Sequence, residues 1–460
     1  MPTTAAVDPR NLAAVFKAYD VRGTVPDQID DELALRVGAA FVEVTEAPAV
    51  VVGHDMRPSS PGLAGAFAEG AAAAGAEVTL IGLASTDQLY FASGFLGQAG
   101  AMFTASHNPA AYNGIKLCRS HARPIGLDTG LAAIRDAVAR GTTARAAQEG
   151  SISRRDVLEA YASHVLGLAP VRGRRLTVVV DSGNAMAGLT VPAVFGRLEA
   201  GTLDLVPMYF ELDGTFPNHD ANPLDAATLV DLQARVVGEH ADIGLAFDGD
   251  ADRCFFVDER GEVVSPSAIT GLIASRELAK EPGATIIHNL ITSRAVPEIV
   301  RELGGVPERT KVGHSGIKAR MAETNAIFGG EHSGHYYFRD FWRADSGMLA
   351  ALHVLGALAE QDRSLSALLA DFDRYAASGE INSEVPDSGA VVERIRGHFA
   401  GREDVDLDDL DGLSGTHADW GFNVRASNTE PLLRLNAEGA DRATMERIRD
   451  ELLSLIRSDA

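Results

Sequence analysis

Three times along this 460-residue chain, short continuously apolar segments alternate with helical patterns, and each round closes on a cluster of polar residues. In the first round a helical pattern over 33–41 precedes an apolar run at 49–53, an alanine-rich helix over about 61–75 and a second run at 78–81. A third run, residues 99–103, delivers Thr104-Ala105-Ser106-His107-Asn108-Pro109. The second round has runs at 176–180, 205–210 and 243–247 and ends at Asp248-Gly249-Asp250-Ala251-Asp252-Arg253. The third has a run at 284–287, a helix over 295–303 and a run at 326–328 that leads to Gly330-Glu331-His332-Ser333-Gly334-His335.

Apolar runs of this length alternating with helices indicate sheets that are mostly parallel and covered on both faces. Ligands in such folds bind at loops on strand carboxyl ends, where these three clusters lie. The helical stretches 128–140 and 350–372 read as connectors near unit boundaries. The tail changes character: charged residues over 403–411, a strand at 421–424, the cluster Arg425-Ala426-Ser427-Asn428-Thr429-Glu430-Pro431, a strand at 432–436 and an amphipathic helix over 443–456. A chain this long exceeds what one core organises. The predicted fold is α/β: three divergent mixed or parallel-sheet α/β units and a smaller α+β C-terminal domain, arranged around a central cleft that the tail module could close. The expected domains are 1–143 with the serine loop, 144–256 with the aspartate loop, 257–372 with the Glu331 loop and 373–460 with the Arg425 loop.

The net charge of −23 argues against a nucleic-acid partner, which wants a basic stripe. No run of about 18 apolar residues would span a bilayer, and the N-terminus lacks a signal peptide's basic start and apolar core. The expectation is a soluble, cytoplasmic protein with no membrane partner, monomeric or homodimeric. Two cysteines, Cys118 and Cys254, make no disulfide framework or metal-ligand spacing and read as buried free thiols. Lysine is scarce at Lys17, Lys116, Lys280, Lys311 and Lys318, and four of these lie in or beside the polar clusters. A compact, titratable ammonium serves proton transfer or phosphate contact in ways guanidinium does not.

Ser106, between an apolar run and Pro109, is a candidate phosphate-carrying nucleophile, although Ser, Asn and Pro also make ordinary turns. Asp248, Asp250 and Asp252 alternate, so three carboxylates can converge on one hard cation. An EF-hand begins this way, and Glu259 takes its twelfth position, but Arg253 stands where that loop needs glycine and 254–257 is strand-like. The Arg425 cluster joins a forked cation, two hydroxyls, an amide and successive N–H groups, a set suited to a phosphate dianion or a solvated turn. Read alone, the Glu331 loop could equally be an unremarkable surface loop.

Together with Lys17-Ala18-Tyr19-Asp20-Val21-Arg22-Gly23, these motifs stand in an order that resembles the α-D-phosphohexomutase family, closest to its bacterial phosphomannomutase/phosphoglucomutase branch. The resemblance spans Lys17 to Pro431. It implies a phosphorylated Ser106 that supplies a ligand to Mg²⁺ beside Asp248, Asp250 and Asp252. Lys116, Arg22 and His314 become the proton-transfer and charge-stabilising candidates, with His107 orienting the serine loop. Tyr19, Arg253, Glu331, Ser333 and His335 would contact substrate, Glu331 and Ser333 at sugar O3 and O4, and Arg425, Ser427, Asn428 and Thr429 would hold the distant phosphate. The implied activity interconverts mannose 6-phosphate and mannose 1-phosphate through a hexose 1,6-bisphosphate, which also serves as activator. A phosphoglucomutase or dual-specificity enzyme is the alternative, with His332 pointing away from the glucosamine branch. A metal-dependent sugar phosphate phosphohydrolase and a silent sugar phosphate sensor are the readings from other classes.

Two positions depart from the branch pattern. The strand at 286–287 leads to Asn289-Leu290-Ile291-Thr292-Ser293-Arg294 in place of a lysine, with Arg294 the candidate replacement. Late in the final strand Arg434 is present, while Asn436 is nearer the position where an arginine is usual.

Overall fold

The computed structural model describes residues 9–141, 146–426 and 432–458. The chain divides into two compact units, 1–264 with 333–368, and 265–332 with 369–460.

In the first unit the strands run Val21–Thr24, Tyr112–Arg119, Ala99–Phe103, Ala49–His54, Glu77–Leu83 and Ile152–Arg154 across one sheet. The first two pairings are antiparallel and the next three parallel. Ala99–Phe103 is central and every residue in it is buried, as a strand covered on both faces requires. Phe103 meets Phe67 edge-on at 5.6 Å, and Phe67 lies 5.9 Å from Phe41, which ties the strand to helices Ser60–Ala73 and Asp31–Thr45. Burying each such ring contributes about 1.5–3 kcal/mol, so the strand end that carries Ser106 is anchored by its core face.

A second sheet in this unit has the order Cys254–Asp258, Ile243–Phe247, Leu176–Asp181, Leu203–Met208. Ile243–Phe247 and Cys254–Asp258 form an antiparallel pair in which Phe247 faces Cys254, so the aspartate loop is a hairpin turn whose flanks are buried throughout. This is why it cannot continue as an EF-hand. Cys118 and Cys254 are both buried free thiols.

The second unit holds the parallel strands Val306–Thr310, Thr285–Asn289 and Phe328–Gly330. It also holds an antiparallel sheet ordered Ala376–Glu384, Leu432–Gly439, Trp420–Ala426, Leu413–Thr416, Asp406–Asp408, covered by helices Ser388–Phe399 and Arg442–Ile456. Three α/β sheets and an antiparallel fourth match the expected α/β class.

Two expected connectors differ. The stretch 350–372 is a helix Gly347–Ala359 and a separate short helix Leu365–Leu369, broken over the polar residues between them. All thirteen residues of Gly347–Ala359 are buried, and one boundary between the two units falls at 368/369, at the end of the second helix. The stretch 128–140 is a 3₁₀ turn Leu127–Thr129 and a helix Leu131–Arg140, divided at Gly130 with φ 143°. Among the described residues no helix is long and apolar enough to cross a membrane.

Candidate active site

Where Ala99–Phe103 ends, the backbone turns sharply and Ser106 takes φ +47°, a left-handed conformation uncommon for a residue with a β-carbon. Conformations of this kind persist only where the surroundings enforce them. The enforcement comes from Arg57, whose side chain is entirely buried. Its guanidinium donates to the carbonyls of Ser106 at 2.9 Å, Asn108 at 2.7 Å, Pro109 at 2.8 Å and Tyr112 at 3.0 Å, while its Nε meets Asp55 Oδ2 at 3.2 Å. Arg22 adds a bond to the Ala105 carbonyl at 2.8 Å and another to the Asn108 side chain.

The aspartate loop meets the serine loop backbone to backbone. A β-carbon on Gly249 would lie 2.2 Å from the Ser106 carbonyl oxygen, so only glycine allows this approach. It brings Ser106 Oγ to 2.9 Å from Asp248 Oδ2, to which it donates. Asp248 also accepts from Arg253, through Nε at 2.9 Å to Oδ2 and through the backbone N–H at 3.2 Å to Oδ1. Lys116 Nζ bridges Asp250 Oδ2 and Asp252 Oδ2, each at 2.6 Å.

This leaves Asp250 Oδ1 and Asp252 Oδ1 buried without a hydrogen-bond partner. Buried carboxylate oxygens need compensation. Asp248, Asp250 and Asp252 each bring an oxygen within 4.8 Å of the others, a hard donor set that fits Mg²⁺. Burial, offset in part by Arg253, pushes Asp248 up to about 7, and its acidic neighbours add to the rise. Burial also opposes the charge of Asp250, yet Lys116 and Thr86 outweigh it and hold that carboxyl below its usual range. Burial likewise works against the Lys116 ammonium, but Asp250 and Asp252 raise its pKa well above the ordinary value. Burial and the cations Arg253 and Arg22 lower His107 to about 3, so it is a neutral acceptor for Arg253 at 2.6 Å. That arrangement suits orientation of the serine loop better than proton transfer.

His335 reaches the same cluster. Its Nδ1 donates to Asp345 Oδ2 at 2.9 Å and lies 4.0 Å from Asp252 Oδ1. Burial opposes its charge, but the bond to Asp345 raises its pKa above the usual histidine value. Ser106, Lys116, Arg22, Asp248, Asp250, Asp252, Arg253 and His335 thus belong to the first unit. Tyr19 and Ser333 belong to it as well and are half-buried.

In the second unit Glu331 is buried, with Asn289 Nδ2 donating to its Oε2 at 3.2 Å. This unit contains a cavity of about 450 Å³ lined by hydroxyl and amide side chains such as Ser267, Ser293 and Asn436 beside Leu290, Ile291 and His332. Arg294, the suggested replacement for a lysine, lies in the lining but donates to the His417 carbonyl at 2.9 Å and covers the Tyr375 ring at 5.0 Å. Arg425 pairs with Glu380 at 2.9 Å, and Arg434 reaches the same carboxylate at 3.3 Å. Ser427, Asn428 and Thr429, and the side chain of His314, lie outside the described residues.

Sequence reasoning missed Arg57, Thr86 and Asp345. A signal existed for the first: Asp55-Met56-Arg57 follows the carboxyl end of the parallel strand Ala49–His54, the kind of loop that marked the other clusters. Thr86 carried none, since its partner Asp250 is 164 residues away, whereas Asp345 lies ten residues from its partner His335.

Family comparisons agree with this architecture. Four family models match in chain order: phosphoglucomutase/phosphomannomutase α/β/α domain I over 13–145, domain II over 159–261, domain III over 265–375 and the C-terminal domain over 380–455. A protein of Xanthomonas campestris pv. campestris described as "Phosphohexose mutases" is 43% identical over 96% of this chain and 99% of its own length. A phosphomannomutase of Salmonella montevideo is 41% identical over 97% of this chain and 100% of its own. The crystal structure of a phosphoglucomutase/phosphomannomutase family protein from Burkholderia thailandensis superposes with a TM-score of 0.88 at 32% identity, covering 97% and 98% of the two chains. The chain belongs to the phosphoglucomutase/phosphomannomutase family of α-D-phosphohexomutases and is an isomerase that works by phosphotransfer.

Proposed function

We propose that this enzyme interconverts mannose 6-phosphate and mannose 1-phosphate, with Ser106 as the residue that carries the phosphoryl group. The observation that carries the reading is the 2.9 Å contact of Ser106 Oγ with Asp248 inside a three-carboxylate cluster. Relatives at about 40% identity that are named phosphomannomutase support the mannose substrate.

In the first half, the bond from phosphorus to Ser106 Oγ breaks as a free hydroxyl of the hexose monophosphate bonds to phosphorus, giving a hexose 1,6-bisphosphate and free serine. In the second half, the other phosphate returns to Ser106 and the isomeric monophosphate leaves. Asp248, Asp250, Asp252 and an oxygen of phosphorylated Ser106 would hold Mg²⁺, which supplies charge neutralisation to the transferring group. Lys116, held charged, suits proton return and contact with phosphoryl oxygens, and Arg22 and His314 complete the candidate set. Arg253 and His335 would orient substrate at the transfer end. Glu331 and Ser333 would read sugar hydroxyls, while Arg425 and Ser427 to Thr429 would hold the phosphate that is not transferring. A cavity rich in hydroxyl and amide groups, as beside His332, suits a neutral polyhydroxyl ring.

The test compares mannose 1-phosphate, glucose 1-phosphate and glucosamine 1-phosphate, each with a trace of hexose 1,6-bisphosphate. The expected result is isomerisation, fastest for mannose, without sustained release of inorganic phosphate. Sustained release would turn the assignment to a phosphohydrolase, and a faster glucose reaction would move the substrate.

A further inference from the structure

We infer that Thr86, remote in sequence from every motif, is a positioning residue that sets which oxygen of Asp250 is offered to the cation. The inference rests on the proposed metal site and adds a determinant of its geometry.

Thr86 is fully buried and opens the helix Thr86–Leu96. Its backbone N–H donates to the Asp250 carbonyl at 2.9 Å and its hydroxyl to Asp250 Oδ2 at 2.6 Å. With Lys116 Nζ at 2.6 Å on the same atom, Oδ2 is occupied from two sides. The carboxylate therefore cannot rotate without breaking two bonds, one of them charge-assisted. Its other oxygen, Oδ1, is the one left buried and without a donor. Asp252 Oδ2 receives Lys116 but no hydroxyl, while Arg253 and His335 stand 3.9 and 4.0 Å from its Oδ1, so Thr86 is what separates the two carboxylates.

The donor is itself immobile. Ser85 caps the helix by accepting from the Gln88 N–H at 3.2 Å, and its hydroxyl donates to Asp87. Asp87 Oδ2 accepts from Tyr161 at 2.7 Å and from Ser346 at 2.6 Å. Ser346 adjoins Asp345, the partner of His335. One helical turn thus holds Asp250 through Thr86 and, through its next residue, the segment that orients His335. A hydroxyl on so fixed a frame imposes its geometry on the carboxylate.

The experiment measures Mn²⁺ binding by electron paramagnetic resonance, with Mg²⁺ as competitor, on the full-length wild-type protein, T86V and T86S. T86V keeps the volume and removes the donor; T86S keeps the donor. T86V is expected to bind Mn²⁺ roughly 10-fold more weakly, the worth of one hydrogen bond to a charged group. Its kcat should fall while KM for the hexose phosphate stays, and T86S should recover most of both. Should T86V lose its native melting transition, T86A against T86S makes the same contrast of hydroxyl absent and present. Wild-type Mn²⁺ affinity in the variant without the hydroxyl, or equal loss in T86S, overturns the inference. A wild-type protein that binds no divalent cation overturns instead the metal reading on which it rests.

Discussion

The centre around Ser106 and the cavity of the second unit differ in how tightly their polar groups are matched. Around Ser106 the strong groups are matched at short range: Arg57 with four carbonyls and Asp55, Lys116 with two carboxylates, Arg253 with Asp248. Among the described residues here, Asp250 Oδ1, Asp252 Oδ1 and Arg22 Nε are left buried without a hydrogen-bond partner. The cavity's lining mixes hydroxyls and amides with Leu290, Ile291 and Phe422 and with charged side chains that include Arg294, Arg301, Arg309 and Glu438. Transfer of a charged group profits from dipoles and charges fixed in advance, which cost no reorganisation at the moment of reaction. Recognition of a neutral sugar profits from a polar and adaptable lining.

Arg57→Ala is the strongest way to break this contrast. It leaves buried Asp55 without its cation and removes the guanidinium from four carbonyls, so a loss of roughly 3–5 kcal/mol is expected in urea unfolding. Turnover should fall with it, because Arg57 ties down the loop that keeps Ser106 at positive φ at four carbonyls, against the two bonds from Arg22. A variant with both near wild type would show the centre is not preorganised by Arg57.

Glu331→Gln should act the other way. Loss of one hydrogen bond from a charged acceptor to a sugar hydroxyl is worth about 1.5–3 kcal/mol, or roughly 10–100-fold in kcat/KM. Thermal melting should stay within a few degrees. A large drop in melting temperature with unchanged kcat/KM would put Glu331 in the structural class instead.

His219 gives the first unit a titratable pair outside the carboxylate cluster: its hydrogen bond to Asp181 at 2.9 Å lifts it to about 8 against partial burial. A raised pKa adds stability that is complete below the unfolded value near 6.5 and is lost as pH climbs through about 8. Because the pair is partly open to solvent, the wild type should exceed His219→Gln by about 1 kcal/mol at pH 6, with the gap closing by pH 9. A gap independent of pH would mean packing rather than charge holds this pair.

The sequence made the transfer centre legible because its parts sit at strand ends. The apolar runs before Ser106 and Asp248 are the fully buried strands Ala99–Phe103 and Ile243–Phe247. What escaped it were contacts with no local trace. Thr86 and Asp250 are 164 residues apart, and a lone threonine before an apolar helix reads as ordinary capping. The stretch 350–372 is apolar on both sides of Glu360-Gln361-Asp362-Arg363-Ser364, so its helical pattern hides the break that these polar residues make. Arg57 did leave a trace, on a strand-end loop of the same kind as the other clusters.

Whether Ser106 is the phosphoryl carrier can be measured directly. Radiolabelled hexose 1,6-bisphosphate is mixed with the protein, the reaction is quenched within a turnover, and the labelled peptide is identified. The label should sit on Ser106, be chased by unlabelled mannose 1-phosphate, and be absent in Ser106→Ala, whose kcat should drop on the order of 10⁴-fold or more. Label on any other residue, or the same labelling in Ser106→Ala, would contradict it.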